Sequence, residues 1–328
     1  MVSTISEPHG TVVVSLGEPL VEVMRPDVNA PLDVPGTFRG PFTSGAPAIF
    51  AWAAASLGAP VRFAAVCGDD PFGALCRRHL QDAGVELFIR TTPDYETGVA
   101  FVSYLPDGGR DFLFHLRHSA AAQLSPSDMT PELFEDIGWL HVTGSSLGVS
   151  ASMRRAVFSA VEQAKARGAV VSFDPNFRPE LLQTTSLKNL CGPVLDATDV
   201  VLPSGVEAEL LTGLGDPESA CRALLEGARI VLLKRGAEGC TLFMDGVEQH
   251  FPSIAVLEVD PTGAGDCFAA GFAVASLGGL GPADAARFAN VVGALSTTAF
   301  GPTAATLSRD LVTSHLGPDS QPADTSAS

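Results

Sequence analysis

Positive charge is scarce in this chain of 328 residues: 20 lysines and arginines stand against 37 aspartates and glutamates, a formal net charge of −17. So acidic a surface repels phosphate backbones and anionic headgroups, which makes nucleic acids and membrane surfaces poor partners. Any anionic small molecule would have to find the few cations gathered locally. No apolar run reaches the roughly 18 residues that would suggest a membrane span. The run from Ala46 to Leu57 is broken by Pro47 at its start and Gly58 at its end, and reads as a buried helix. A basic stretch leading into an apolar one is missing from the N-terminus, so no signal peptide is expected. Cys67, Cys76, Cys191, Cys221, Cys240 and Cys267 form no C-x-x-C pair and no Cys/His cluster with zinc spacing. That points to buried, reduced thiols in a cytoplasmic protein. G-x-G-x-x-G is also missing after the first strand. Gly17-Glu18-Pro19 stands there instead, and its proline and carboxylate would obstruct and repel the pyrophosphate of a dinucleotide. There is no internal repeat.

What is present suffices for a large core, as one big domain or two close ones, since 46% of the residues are hydrophobic and 17% charged. Thr11–Leu16 is a β-branched run typical of a buried strand. Leu20–Met24 alternates apolar residues with Glu22 and predicts a half-exposed strand. A helix over 46–57, a strand over 61–66 and a helix over 71–83 follow, the last opened by Asp69-Asp70 and closed by Gly84. Val99–Leu105 and Asp111–His115, separated by Pro106-Asp107-Gly108-Gly109, predict a β-hairpin. From Leu140 the order is regular: strands at 140–142, 169–173, 200–202 and 230–233 alternate with helices at 150–167, 187–196 and around 207–211, before helices at 265–277 and 282–299. This βαβ order predicts a mostly parallel sheet sandwiched by helices, with the antiparallel pieces forming an attached lid. The organisation expected is an N-terminal extension over 1–10, one domain over 11–312 with a lid from about 20–42 and 97–117, and a Pro/Ser-rich disordered tail over 313–328.

The most informative stretch is Asp260-Pro261-Thr262-Gly263-Ala264-Gly265-Asp266, followed at once by the apolar helical run from Cys267. Small residues let backbone pass close to a ligand. Free amides at a helix N-terminus favour negative charge, and could hold a phosphoryl group in transfer. Asp266 sits where loop meets helix. A carboxylate there either takes the proton from an attacking hydroxyl or is a first-turn charge favoured by the helix dipole in an ordinary glycine-rich turn.

DPTGAGD with the helix after it resembles the second signature of the ribokinase-like (PfkB) carbohydrate kinases. Further segments resemble that family in its own order: Gly17-Glu18-Pro19-Leu20, Ser44-Gly45-Ala46-Pro47 with Leu57-Gly58, Gly68-Asp69-Asp70-Pro71-Phe72-Gly73, Asp174-Pro175-Asn176-Phe177-Arg178, Pro203-Ser204-Gly205-Val206-Glu207 and Lys234-Arg235-Gly236-Ala237-Glu238-Gly239. Together they span roughly residues 11–310. The resemblance implies a three-layer αβα sandwich with a small β lid, an ATP-dependent sugar kinase activity with Mg²⁺, and a homodimer formed through the lid. Asp266 would be the base, with Gly263, Ala264 and Gly265 forming the anion hole. Glu18, Gly45, Ala46, His115, Arg117 and Arg178 would meet the substrate. Ser204, Lys234, Gly236, Gly239, Gly263, Gly265, Asn290 and Gly293 would meet ATP. Glu207 would meet Mg²⁺ through water, and Asp260, Thr262 and Gly301 would surround a monovalent cation such as K⁺. Other readings stand beside these: a solvated strand residue for Arg117, a structural ion pair for Arg178, a backbone-bonded helix residue for Asn290 and a first-turn carboxylate for Glu207.

Within the family, the G-E-P-L start, Arg117-His118-Ser119-Ala120-Ala121 and the N-x-R-P run ending at Pro179 resemble 2-keto-3-deoxygluconate kinases. That resemblance implies that Arg117 and Arg178 reach a substrate carboxylate. Three departures weaken it: Ser44 replaces the family's first glycine, Ile49 its substrate-contacting Asn, and Val99-Ala100 follows Thr97-Gly98 where an aromatic residue is expected. His115 would stand in for a nearby Tyr. A ketose such as fructose or tagatose, another sugar or nucleoside, and a sensor without turnover are the competing readings.

Overall fold

The computed structural model describes residues 10–106, 109–178, 180–181 and 187–316, without the side chains of Lys188 and Asn189. The extension over 1–9, the centre of the hairpin turn, Pro179 and the tail from 317 lie outside the described residues. Gly10 is buried, and α10 (Arg309–Ser314) runs two residues past the expected boundary at 312.

Among the described residues, thirteen strands form two sheets. In chain order they are β1 (Val12–Leu16), β2 (Leu20–Val28), β3 (Arg39–Ser44), β4 (Val61–Gly68), β5 (Glu86–Thr92), β6 (Gly98–Tyr104), β7 (Arg110–His115), β8 (Ile137–Thr143), β9 (Val170–Asp174), β10 (Val200–Val201), β11 (Ile230–Lys234), β12 (Cys240–Met244) and β13 (Val247–Phe251). The main sheet has nine strands in the order β13-β12-β11-β10-β9-β8-β1-β4-β5. It is parallel except for β12 and β13, which add antiparallel at one edge. The lid is a sheet of four, β3-β2-β6-β7.

The helices are α1 (Ala46–Ser56), α2 (Pro71–Asp82), α3 (Gly144–Val149), α4 (Ala151–Ala166), α5 (Leu187–Leu195), α6 (Gly205–Thr212), α7 (Pro217–Leu224), α8 (Ala264–Leu277), α9 (Pro282–Ser296) and α10. Strand alternation divides the core between the two faces of the main sheet. Val12, Val14 and Leu16 of β1, Val171 and Phe173 of β9, and Val231 and Leu233 of β11 face a layer that includes α4. Val13, Val170, Ile230 and Leu232 face the other layer, built from α1, α8 and α9. Burial on both faces explains why these strands read as continuous apolar runs. All six cysteines are free and buried, and among the described residues no helix is long and apolar enough to cross a membrane.

The lid is tied to the main body at several points. Asp70 caps α2 by accepting from the Gly73 amide at 2.8 Å, and its other oxygen accepts from the Thr97 amide at 2.7 Å, just before β6. Thr303 donates to the Thr43 carbonyl of β3, and Phe42 meets Phe300 edge-on at 5.9 Å. Glu22 departs from the half-exposed strand expected for it. It is only 5% exposed, because the polar face of β2 turns to a cleft roofed by the lid and not to solvent.

Candidate active site

The carboxyl ends of β9 and β11, the turn after β1 and the start of α8 converge under the lid. Gly263 precedes α8 with φ of 82°, a left-handed conformation that lets the loop turn sharply into the helix. The Ala264 amide reaches the Pro261 carbonyl at 3.3 Å. The amides of Gly263, Gly265 and Asp266 make no hydrogen bond among the described residues, and so remain available to an anion.

Two cavities meet at this point. The first, of about 200 Å³, is lined by Glu18, Glu22, Ser44, Gly45, Ala46, Ile49, Arg110, Phe112, Asp174, Asn176, Arg178, Ser204, Glu207, Lys234, Thr262, Gly263 and Asp266, among others. The second, of about 420 Å³, is lined by Gly236, Gly239, Ile254, Val256, Phe268, Asn290 and Gly293 with their neighbours. Lys234, Pro261, Ala264 and Gly265 line both. The smaller cavity is polar and has the size of a sugar. The larger has an apolar wall and opens on glycines, as a nucleoside with its phosphates requires.

Asp266 is 6% exposed, and its Oδ1 accepts from Asn176 Nδ2 at 3.0 Å. Burial first, then the nearby Asp174 carboxylate, push its pKa up to about 8 against the pull of Lys234 and Arg178. Lys234 ends β11, and its Nζ lies 2.5 Å from Asp174 Oδ2 and 3.3 Å from where a β-carbon on Gly265 would sit. Burial works against its charge, but Asp174 and Glu207 together hold its pKa above the usual lysine value. Burial also lifts Asp174 to about 6 despite that cation. Glu207 closes a capping box at the start of α6, accepting from the Ser204 amide at 2.7 Å and the Phe177 amide at 3.0 Å. Burial opposes its charge, and Lys234 with these donors outweighs it, so its pKa lies below normal.

Glu18 receives hydrogen bonds from Ser145 and Ser146, at 2.6 and 2.5 Å, at the start of α3. Gly45 caps α1 with φ of 100°, and a β-carbon there would lie 1.9 Å from the Glu18 carbonyl oxygen, so no other residue fits. Asp260 accepts from the Thr262 amide and hydroxyl and from the Gly301 amide, which brings those three residues together. Asn290 donates to the carbonyls of Phe251 and Pro252 while lining the larger cavity, so the backbone-bonded reading and the lining role are both met.

Most of the predicted residues converge, with four exceptions. Ser204 and Gly263 line the smaller cavity and not the larger one with which the nucleotide expectation grouped them. His115 and Arg117 line neither of these two; they border a separate depression with His118 and Glu96, and Arg117 donates to the Glu180 and Leu181 carbonyls. On β7 the cavity face is the even-numbered one. Arg110, Phe112 and Phe114 point inward while His115 is exposed, a period-two pattern already present in the sequence. Arg110 is thus the cation that sequence reasoning missed. It donates to Thr262 Oγ1 at 3.1 Å, and burial followed by the charge of Arg178 lowers its pKa. The Phe112 ring lies near both guanidiniums, 5.6 Å from that of Arg110 and 5.4 Å from that of Arg178. Glu22 was missed as well. One of its oxygens is buried without a partner among the described residues, and burial pushes its pKa up to about 7.

These shifts set a pH dependence of stability. Glu22, Asp174 and Asp266 have folded pKa values of about 7, 6 and 8, against roughly 4 when unfolded. Their contribution is complete at acid pH and lost as pH rises through those values. His141, buried and stacked on Phe50 at 3.9 Å, acts oppositely: burial pushes its pKa down to about 3, so it costs stability only below its unfolded value near 6.5. Between pH 6.5 and 8.5 its effect is spent, and the carboxylates act in the same direction as the six buried cysteines, whose thiols burial holds well above their ordinary value so that they ionise there only on unfolding. The melting temperature of the unliganded protein should therefore fall by several degrees across that window, and Asp266→Asn should make the slope shallower. A melting temperature that rises with pH there would contradict these shifts.

A carboxylate and free amides at a helix start, set between a sugar-sized and a nucleotide-sized cavity, define a phosphotransferase that acts on an alcohol. Comparison with known proteins agrees. The model of the pfkB family carbohydrate kinases matches residues 39–309. A 2-dehydro-3-deoxygluconokinase of Thermoproteus tenax is 33% identical over 291 residues, covering 86% of this chain and 87% of the relative. A fructokinase of Escherichia coli is 34% identical over 260 residues, covering 78% and 81%. The crystal structure of a candidate ribokinase II from Escherichia coli in complex with ATP and Mg²⁺ superposes with a TM-score of 0.85 at 38% identity, covering 92% of this chain and 97% of that one. The chain belongs to the pfkB family of carbohydrate kinases, and it is an ATP-dependent sugar kinase.

Proposed function

We propose that the substrate is a sugar acid resembling 2-keto-3-deoxygluconate, phosphorylated on a hydroxyl that lies against Asp266. The observation that carries this reading is the pair Arg110 and Arg178. Both border the smaller cavity, both lie near the Phe112 ring, and among the described residues neither lies within salt-bridge distance of a carboxylate. Two guanidiniums held together in a largely buried space favour an anion between them. The second reading, a ketose such as fructose or tagatose, draws on the equal similarity to a fructokinase and on Glu22, whose free oxygen suits a sugar hydroxyl.

In this reading the acceptor hydroxyl gives its proton to Asp266 as its oxygen bonds to the γ-phosphorus. The bond from that phosphorus to the β–γ bridging oxygen breaks, and ADP leaves with the electron pair. The free amides of Gly263, Gly265 and Asp266 receive the charge that builds on the phosphoryl oxygens, and Lys234 lies within reach of the same group. Gly236, Gly239, Asn290 and Gly293 line the nucleotide side. Glu207, half-buried, with its pKa held below normal and already engaged by two amides, fits an outer contact to a Mg²⁺ that keeps its water. Such an ion would neutralise phosphate charge when bound. Asp260 spends its oxygens on Thr262 and Gly301, so K⁺ near them would rely on backbone carbonyls.

ADP release should be measured on a panel with 2-keto-3-deoxygluconate, fructose and tagatose. The sugar acid should give the highest kcat/KM, and Arg178→Met should reduce it about 100-fold, chiefly by raising KM for the sugar. Preference for a neutral ketose, unaltered by Arg178→Met, would overturn the sugar-acid reading.

A further inference from the structure

Asn176 is among the buried polar side chains of the smaller cavity that the mechanism above leaves without a task. Asn176 follows β9, is 8% exposed, and has φ of 37°, in the left-handed region that asparagine tolerates better than most residues. Its place is fixed on both sides. Its own amide donates to Asp174 Oδ1 at 3.1 Å, and the next amide, of Phe177, donates to Glu207 Oε1 at 3.0 Å. The side-chain amide so aimed donates to Asp266 Oδ1 at 3.0 Å. The other oxygen, Oδ2, carries no hydrogen bond among the described residues, although the residue lines the cavity.

We infer that Asn176 is a positioning residue for the phosphoryl transfer: its amide holds one oxygen of Asp266, fixes the rotation of the carboxylate, and leaves the second oxygen as the proton acceptor. A carboxylate on a single χ2 torsion turns broadly unless something holds it, and a proton transfer needs its acceptor within hydrogen-bond reach in a set direction. Asn176 also stands between two carboxylates, with its backbone donor to Asp174 and its side-chain donor to Asp266. Few residue types serve both ends. The side chain must donate, and the backbone must accept a positive φ. Aspartate would tolerate the backbone, but its carboxylate would face two others.

The inference rests on Asp266 as the base, and the test separates the two claims. ADP release would be followed with the best acceptor of the sugar panel, water included, for the wild type, Asn176→Ala, Asn176→Gly, Asp266→Asn and the double variant Asn176→Ala/Asp266→Asn. Glycine keeps the left-handed backbone without strain and removes only the amide. Both single changes at Asn176 should lower kcat about 10- to 100-fold while KM for ATP and for the acceptor stays within about threefold. Added to Asp266→Asn, Asn176→Ala should cost nothing more, because the group it orients is gone. A normal kcat in Asn176→Gly would assign the role to the backbone and overturn the inference. So would a raised KM for ATP at unchanged kcat, which would make Asn176 a nucleotide contact. Turnover by Asp266→Asn close to that of the wild type would instead remove the base reading on which this one stands.

Discussion

Replacing Asp266 by asparagine should lower kcat by about 10²–10⁴-fold, with small changes in KM for either substrate. The side chain lines the smaller cavity next in sequence to Gly265, which lines both cavities, so it borders the region in which the acceptor oxygen and the γ-phosphate must meet. Its burial and its neighbour Asp174 bring its pKa to about 8, close to the working pH at which a general base is most effective. Asparagine keeps the shape and still offers an oxygen to Asn176, but it cannot take a proton. The folded protein should not suffer. A neutral group escapes the penalty that burial imposes on the carboxylate, so the variant should melt at or above the wild-type temperature at pH 8. Loss of activity with retained or raised stability separates a chemical role from a structural one. Turnover within about threefold of wild type would exclude Asp266 as the base.

Much of this arrangement could be read before any coordinates. The glycine-rich turn, the helix it opens and the carboxylate inside that helix are contiguous in sequence, and local features suffice to place them. The buried strands β1, β9 and β11 announce themselves as apolar runs because both their faces are covered. Elements held mainly by backbone pairing at an edge were harder to see. β13 exposes four of its five residues, and its Val-Glu-Gln-His-Phe sequence carries no strand pattern. β3 begins Arg-Gly-Pro and carries no strand pattern, although it forms one edge of the lid. The short helices α3 and α7 were not anticipated either. In the site, the errors over Glu22 and His115 had one origin. Polar residues on a strand were taken to face water or substrate by sequence likeness, whereas the alternation along β2 and β7 decides the matter: Leu20 and Glu22 go inward with Arg110 and Phe112, and His115 goes out. Which residues of different strands then meet, such as Arg110 with Thr262, is a property of the fold and leaves no local trace.

Lys234→Met should be the most destabilising single change in the site, and it should also be nearly inactive. The ammonium is the counter-charge for Asp174, which is 1% exposed at the side chain, and for Glu207. Methionine fills a similar volume but leaves the buried Asp174 and the half-buried Glu207 without a cation. Removing one member of a buried pair costs about 3–5 kcal/mol, because the remaining charge keeps its burial penalty. The loss should be greater at pH 8 than at pH 5.5, since Asp174, already raised to about 6 with the lysine present, moves higher without it and enters the acid window as a neutral group. A compensating change tests the cause. Asp174→Asn placed on Lys234→Met removes the stranded charge and should recover much of the lost stability. It should recover no more than a small part of the turnover, because Lys234 also lies beside Gly265 at the junction of the cavities, where a fixed cation suits the phosphoryl oxygens. Recovery of both stability and activity in the double variant would show that Lys234 serves only to neutralise Asp174. Recovery of neither would mean that its aliphatic stem, and not its charge, supports the end of β11.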